Sequence, residues 1–202
     1  MNKMSNIREP IKKTSIEKKQ KIIEKGFELM CKEGFYNVNC VDIAKYADVS
    51  TGSIYQYFND KRDIFIAGVK NYSNAIMFPM IDVIKSKKIT KDNLDEVLNE
   101  VIESFINTHK ISRVEHEELI AMSHLDDEIG KIFKQNEIDM TNNISKVLEN
   151  NGFSIENIEE KIHIIFGLVD NYCHEAIYHR HDSLDYRVMK ENIIDIIKYI
   201  LR

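Results

Sequence analysis

The chain has 202 residues, of which 43% are hydrophobic and 30% charged, with two prolines, seven glycines and a net charge of −5. It is too apolar for a disordered chain and long enough to bury a substantial core. It is also too poor in breakers for an all-β sandwich, which needs a turn signal every ten or so residues. Cys31, Cys40 and Cys173 are odd in number and widely spaced, so they offer neither a disulfide framework nor a zinc motif. No apolar run approaches the roughly 18 residues of a membrane span, and the N-terminus is charged where a secretory signal needs an apolar stretch. The expected location is cytoplasmic, with no membrane partner.

Charge is distributed unevenly. Residues 1–70 carry 13 Lys and Arg against 9 Asp and Glu, whereas residues 71–202 carry 15 against 24. A basic head on an acidic body is the pattern expected when one end meets a polyanion.

In chain order, residues 1–12 are polar, contain Pro10 and read as a mobile basic arm. Thr14 and Glu17 fit a capping box opening a helix, whose apolar positions Ile16, Ile23, Phe27 and Met30 recur at helical spacing until Gly34 stops it. Asn39 is an N-cap for a short helix from Cys40 to Ala47. Asp48-Val49-Ser50 interrupts it, and Ser50 caps a second short helix from Thr51 to about Phe58. Two short helices joined by a tight turn form a helix-turn-helix. A longer helix from about Lys61 is expected to kink or end at Pro79-Met80. Thr90 caps a helix to about Lys110; further helices cover about 114–125, Asp126–Asn150 (ending at Asn151-Gly152), 154–180 and 185–201. No strand-like alternation appears, so the chain reads as all-α with about nine helices.

The helix after Ser50 has the composition a duplex groove demands. Thr51, Gly52 and Ser53 have small side chains that let the first turn approach DNA closely, and the positive end of the helix suits phosphate. Tyr55 and Tyr57 carry rigid rings with terminal hydroxyls, and Gln56 both donates and accepts. Ile54 and Phe58 face the other way, toward Ile43 and Phe27, and Lys61 opens the next helix where it can clamp a phosphate.

Gly34-Phe35, Ile43-Ala44, Ala47, Val49-Ser50, Gly52, Ile54-Tyr55, Tyr57-Phe58 and Lys61 together resemble the DNA-binding domain of the TetR (tetracycline-repressor) family of transcriptional regulators. The resemblance covers about the first third of the chain. It implies an N-terminal arm and three-helix DNA-binding domain over 1–60 and a helical effector-binding and dimerisation domain over 61–202. It also implies that Asn39, Cys40, Thr51, Gly52, Ser53, Tyr55, Gln56, Tyr57 and Lys61 touch DNA. Asp48 stands where the family often has Gly, and Asp tolerates the left-handed conformation required there.

The helix 154–180 carries two stripes. One reads Ile158, Ile162, Ile165, Val169, Tyr172 and Ala176; the other reads His163, Phe166, Asp170, His174 and Ile177. The last helix adds Ile193, Ile196, Ile197, Ile200 and Leu201. Helices apolar on more than one side need more than one partner, and the resemblance implies that these two pair with their copies in a second subunit, Gly167 permitting close approach. Buried ionisable groups are costly unless paired, so Asp170 and His174, four apart, have three open readings. They pair with each other or across a dimer; they line an effector pocket with Phe105, Phe133, Tyr178, His124, His163 and Phe166; or they bind a metal with His116 or His124. The expectation is a homodimeric, non-enzymatic regulator, acting as a repressor, with no metal or cofactor, released from a double-stranded operator by a small-molecule effector. The alternatives are a small all-α enzyme using the His/Asp cluster and an interaction module that does not touch DNA.

Overall fold

The computed structural model describes residues 9–108 and 113–202, with the side chains of 76–78 left aside. Among the described residues the architecture is all-α, with nine helices and no strand. They are α1 (Lys13–Glu33), α2 (Cys40–Tyr46), α3 (Thr51–Tyr57), α4 (Lys61–Ser86), α5 (Leu94–Thr108), α6 (Arg113–Leu125), α7 (Asp127–Asn150), α8 (Ile158–Tyr178) and α9 (Tyr186–Ile200), with one turn of 3₁₀ helix at Phe35–Asn37. Residues 1–8 of the expected arm, and the expected helix end at Lys110, lie outside the described residues.

The chain forms two compact units. One comprises Met1–Tyr72 with Ile111–Ile132, the other Ser73–Lys110 with Phe133–Arg202. The first therefore takes in more chain than the 1–60 segment expected to read DNA.

In the first unit, α1 runs to Gly34, whose φ of 90° and ψ of 133° fall in a region open to glycine. Its expected capping box is absent. Lys12 is the N-cap and makes no side-chain cap bond, while Glu17 sits 3.9 Å from Lys13 in an exposed pair. The reason is register: Thr14 is already inside the helix, where its hydroxyl cannot reach back to cap. Asn39 does cap α2, its Oδ1 accepting from the N–H groups of Val41 (2.8 Å) and Asp42 (3.2 Å) while Asp42 accepts from Asn39 N–H at 2.9 Å. Asp48 adopts φ 51° in the turn. Ser50 caps α3 by accepting from Ser53 N–H at 3.2 Å. The core of this unit includes Ile22, Met30, Ile43, Ile54, Ile64 and Phe65, all essentially inaccessible, with Phe65 packed against Phe27 and Phe35 at 5.3 Å between ring centroids.

In the second unit, the later part of α4 packs with α5, α7, α8 and α9 around Met80, Val101, Ile102, Met140, Cys173 and Ile197. Pro79, expected to kink or end the helix, lies inside α4, which continues to Ser86. The ring removes one backbone donor, but burial of Met80, Ile81 and Ile84 beyond it offsets that loss. Helix α8 starts later than expected, after Asn157 in the left-handed region at φ 53°, and Gly152 at φ 87° closes α7. Among the described residues no helix is long and apolar enough to cross a membrane.

Candidate nucleic-acid interface

Helices α2 and α3 meet through inward residues at helical spacing, and what they leave outside is the candidate surface. With about 100° per residue, Ile54, Tyr57 and Phe58 of the α3 segment fall on one side, and all three are buried. Gly52, Tyr55 and Gln56 are exposed, with Thr51 and Ser53 half-buried. Tyr55 is 55% exposed, and its hydroxyl lies near the Cys40 thiol. That thiol raises the Tyr55 hydroxyl above its ordinary range. Ser53 is tied to Ser50, their hydroxyls 2.9 Å apart, which fixes the first turn.

The nine expected contact residues thus divide. Asn39, Thr51, Gly52, Ser53, Tyr55 and Gln56 reach the surface. Tyr57 does not: it is 4% exposed, because position three after Ile54 points inward with it. Cys40 is buried for the same reason, sharing a face with Ile43, Ala44 and Ala47. Burial pushes its thiol up.

Lys61 is accounted for inside its own unit. Its ammonium donates to the carbonyls of Phe35 at 2.6 Å and Val38 at 2.7 Å and lies 4.5 Å from the centroid of the Phe35 ring. The N–H of the same Phe35 donates to Glu118 of α6 at 2.6 Å. Arg62, the next residue, makes a two-pronged bond to Asp126 at 2.6 and 2.8 Å and lies 3.0 Å from Glu128. The guanidinium holds the Asp126 carboxyl below the usual carboxylate range. The spacing of apolar residues carried no sign of these ties, since each joins positions tens of residues apart. Exposed Tyr36 and Val41 flank the pair.

The expected effector residues are dispersed. His124 is exposed on α6 in the first unit, as is buried His116. In the second unit, His174 bonds Asp170 at 3.2 Å, meets the Phe105 ring edge-on at 5.4 Å and stacks on Tyr178 at 6.1 Å. These four residues come together. His163 instead lies 3.2 Å from the Thr141 hydroxyl, which itself donates to the Glu137 carbonyl. Phe133 is half-buried on α7. Phe166 lines a separate cavity of about 70 Å³ whose lining is wholly apolar, including Met80, Val97, Leu98, Leu148 and Ile165. Single aliphatic residues at helical spacing read as core, so nothing in their pattern distinguishes a cavity wall from a filled interior.

Residues 22–67 match the family model described as bacterial regulatory proteins, tetR family. The chain is 44% identical over 55 residues to the HTH-type transcriptional regulator HbdR of Aromatoleum sp. (strain CIB), covering 27% of this chain and 24% of that protein. It is 30% identical over 102 residues to the fatty acid metabolism regulator protein of Bacillus subtilis (strain 168), covering 50% of this chain and 53% of that one. The matches therefore span about a quarter and about half the length of these relatives. A candidate TetR-family transcriptional regulator of Mesorhizobium loti MAFF303099 shares the fold, with a TM-score of 0.74 at 16% identity over 94% of this chain and 98% of that one. Over residues 22–67, which span α1 to the start of α4, the chain is thus similar to the TetR family of bacterial regulatory proteins.

Proposed function

We propose that this protein is a transcriptional repressor that binds a palindromic operator as a homodimer and is released by an apolar small molecule. The observation that carries the reading is the α3 surface. A seven-residue helix with its inward side filled by Ile54 and Tyr57 leaves Gly52, Tyr55 and Gln56 outward, with groups suited to base edges and phosphates. In this reading Thr51, Gly52 and Tyr55 lie near bases, and Asn39, Ser53 and Gln56 position the backbone. Tyr55→Ala is expected to weaken duplex binding about tenfold or more in a gel-shift assay, with the oligomeric state unchanged in sedimentation. Unchanged affinity would contradict the assignment.

Two further observations support the remainder. Ile164 on α8, and Val188, Ile196 and Tyr199 at one-face spacing on α9, are exposed apolar side chains, and Gly167 has open space around its α-carbon. A second copy covering this surface supplies the two recognition helices that a palindrome requires. The cavity supports the effector reading. A lining without polar groups excludes stable water and favours hydrocarbon, and the Bacillus subtilis relative is by name a regulator of fatty acid metabolism. The effector class proposed is accordingly an alkyl-chain molecule. Release requires that it bind the DNA-free arrangement more tightly than the DNA-bound one.

A further inference from the structure

Two charged side chains in the first unit, Lys61 and Glu118, are committed to backbone next to the DNA-reading pair, and Lys61 stands where a phosphate contact is expected. The Phe35 peptide is held from both ends. Its N–H donates to the Glu118 carboxylate at 2.6 Å, and its carbonyl accepts from the Lys61 ammonium at 2.6 Å. The same ammonium takes the Val38 carbonyl at 2.7 Å. Val38 is followed directly by Asn39, whose side chain caps α2, and α2 begins at the next residue, Cys40. The turn is thus fixed by charge-assisted bonds, which are shorter and roughly twice as strong as neutral ones, immediately before the helix that carries the recognition pair.

We propose that Lys61 and Glu118 are positioning residues for DNA recognition: together they clamp the Phe35–Val38 turn and set the register of α2 and α3, and Lys61 does so in place of a phosphate contact. An ammonium has three donors. Two are spent on carbonyls, and the ring of Phe35 covers a further side at 4.5 Å. The proposal rests on the DNA-binding reading and makes a distinction that reading does not. A lysine on a phosphate contributes to affinity for any duplex and to its salt dependence, because it releases a counterion. A lysine that holds a turn contributes only where the recognition helix must fit a particular sequence.

The test uses the full-length protein, the duplex that the wild type enriches from a randomised pool, and a scrambled duplex of equal length. Affinity is measured against salt for the wild type, Lys61→Met, Glu118→Ala and Glu118→Gln. Lys61→Met and Glu118→Ala are expected to lose about tenfold or more on the enriched duplex, while retaining wild-type affinity for the scrambled one and the wild-type slope of log K against log salt. Glu118→Gln keeps an acceptor for the Phe35 N–H and is expected to recover most of the loss; a role confined to overall stability would not separate the two duplexes. Should Lys61→Met not fold, the Glu118 pair decides the matter. A slope reduced by about 0.9 in Lys61→Met, with equal losses on both duplexes, would make Lys61 a phosphate contact and overturn the proposal. Wild-type affinity in both Lys61→Met and Glu118→Ala would overturn it as well, leaving the DNA-binding reading intact. Failure of the wild type to enrich any duplex would overturn that reading and this proposal together.

Discussion

A β-carbon at Gly68 would lie 2.4 Å from Cγ and 2.5 Å from Cβ of Phe27. These are the rigid base of the ring rather than a flexible tip, so α1 and α4 cross where only a hydrogen fits. Gly68→Ala is therefore expected to cost about 2 kcal/mol through overpacking, measured by denaturant unfolding, whereas Gly167→Ala, with nothing within 4 Å, leaves monomer stability nearly unchanged. At this scale the sequence is only partly legible. Tyr55 and Tyr57 are the same residue two positions apart, yet one is 55% exposed and the other 4%. About 100° per residue places Tyr57 about 60° from Ile54 and Tyr55 about 100° from it on the other side, so the angular arithmetic separates them where residue type does not. The same arithmetic buries Cys40 beside Ile43 and Ala44. For Lys61 no local pattern helps, because its acceptors are the carbonyls of residues 23 and 26 positions earlier.

Helix starts and stops were legible wherever a cap and its partner lie within one turn. Asn39, Ser50, Gly34 and Gly152 act as their residue types dictate. Pro79 and the missing Thr14 box show the limit, since tertiary burial overrides the local signal in one case and a one-residue shift of register removes it in the other. The α4–α7 junction has a measurable counterpart. The Arg62 guanidinium depresses the Asp126 carboxyl, and Asp126 also accepts from the N–H groups of Glu128 and Ile129. A carboxyl with a lowered folded-state pKa stabilises the protein above its unfolded pKa of about 3.9, and that contribution disappears as pH falls through the folded value. Asp126→Asn is thus expected to lose about 1 kcal/mol at pH 7, a figure kept small because Arg62 is more than one-third exposed. The difference from wild type should shrink as pH falls below the unfolded pKa and vanish once it has passed the folded one, as checked by urea denaturation across pH.

For the molecule as a whole, the candidate DNA-reading segment is far more legible than the cavity proposed for an effector. The former is a contiguous run of residues whose spacing and type are both constrained; the latter is assembled from five segments of the chain, all aliphatic or phenyl. The polar stripe that drew notice, Asp170 and His174, satisfies itself with a 3.2 Å bond, one turn beyond Phe166 along α8. If the cavity holds the effector, a long-chain alcohol at about a hundredfold excess over its Kd should raise Tm by about 5–10 °C. Val101→Phe, which fills the cavity, should abolish the rise; an equal rise in the variant would move the site elsewhere. Whether the outward face of α3 reads duplex DNA is decided by selecting duplexes from a randomised pool with the purified protein and sequencing what is retained. Enrichment of an inverted repeat is expected, with half-sites centred about 34–36 Å apart or a multiple of that, lost with Tyr55→Ala. A retained pool indistinguishable from the input, even at low salt, would contradict it.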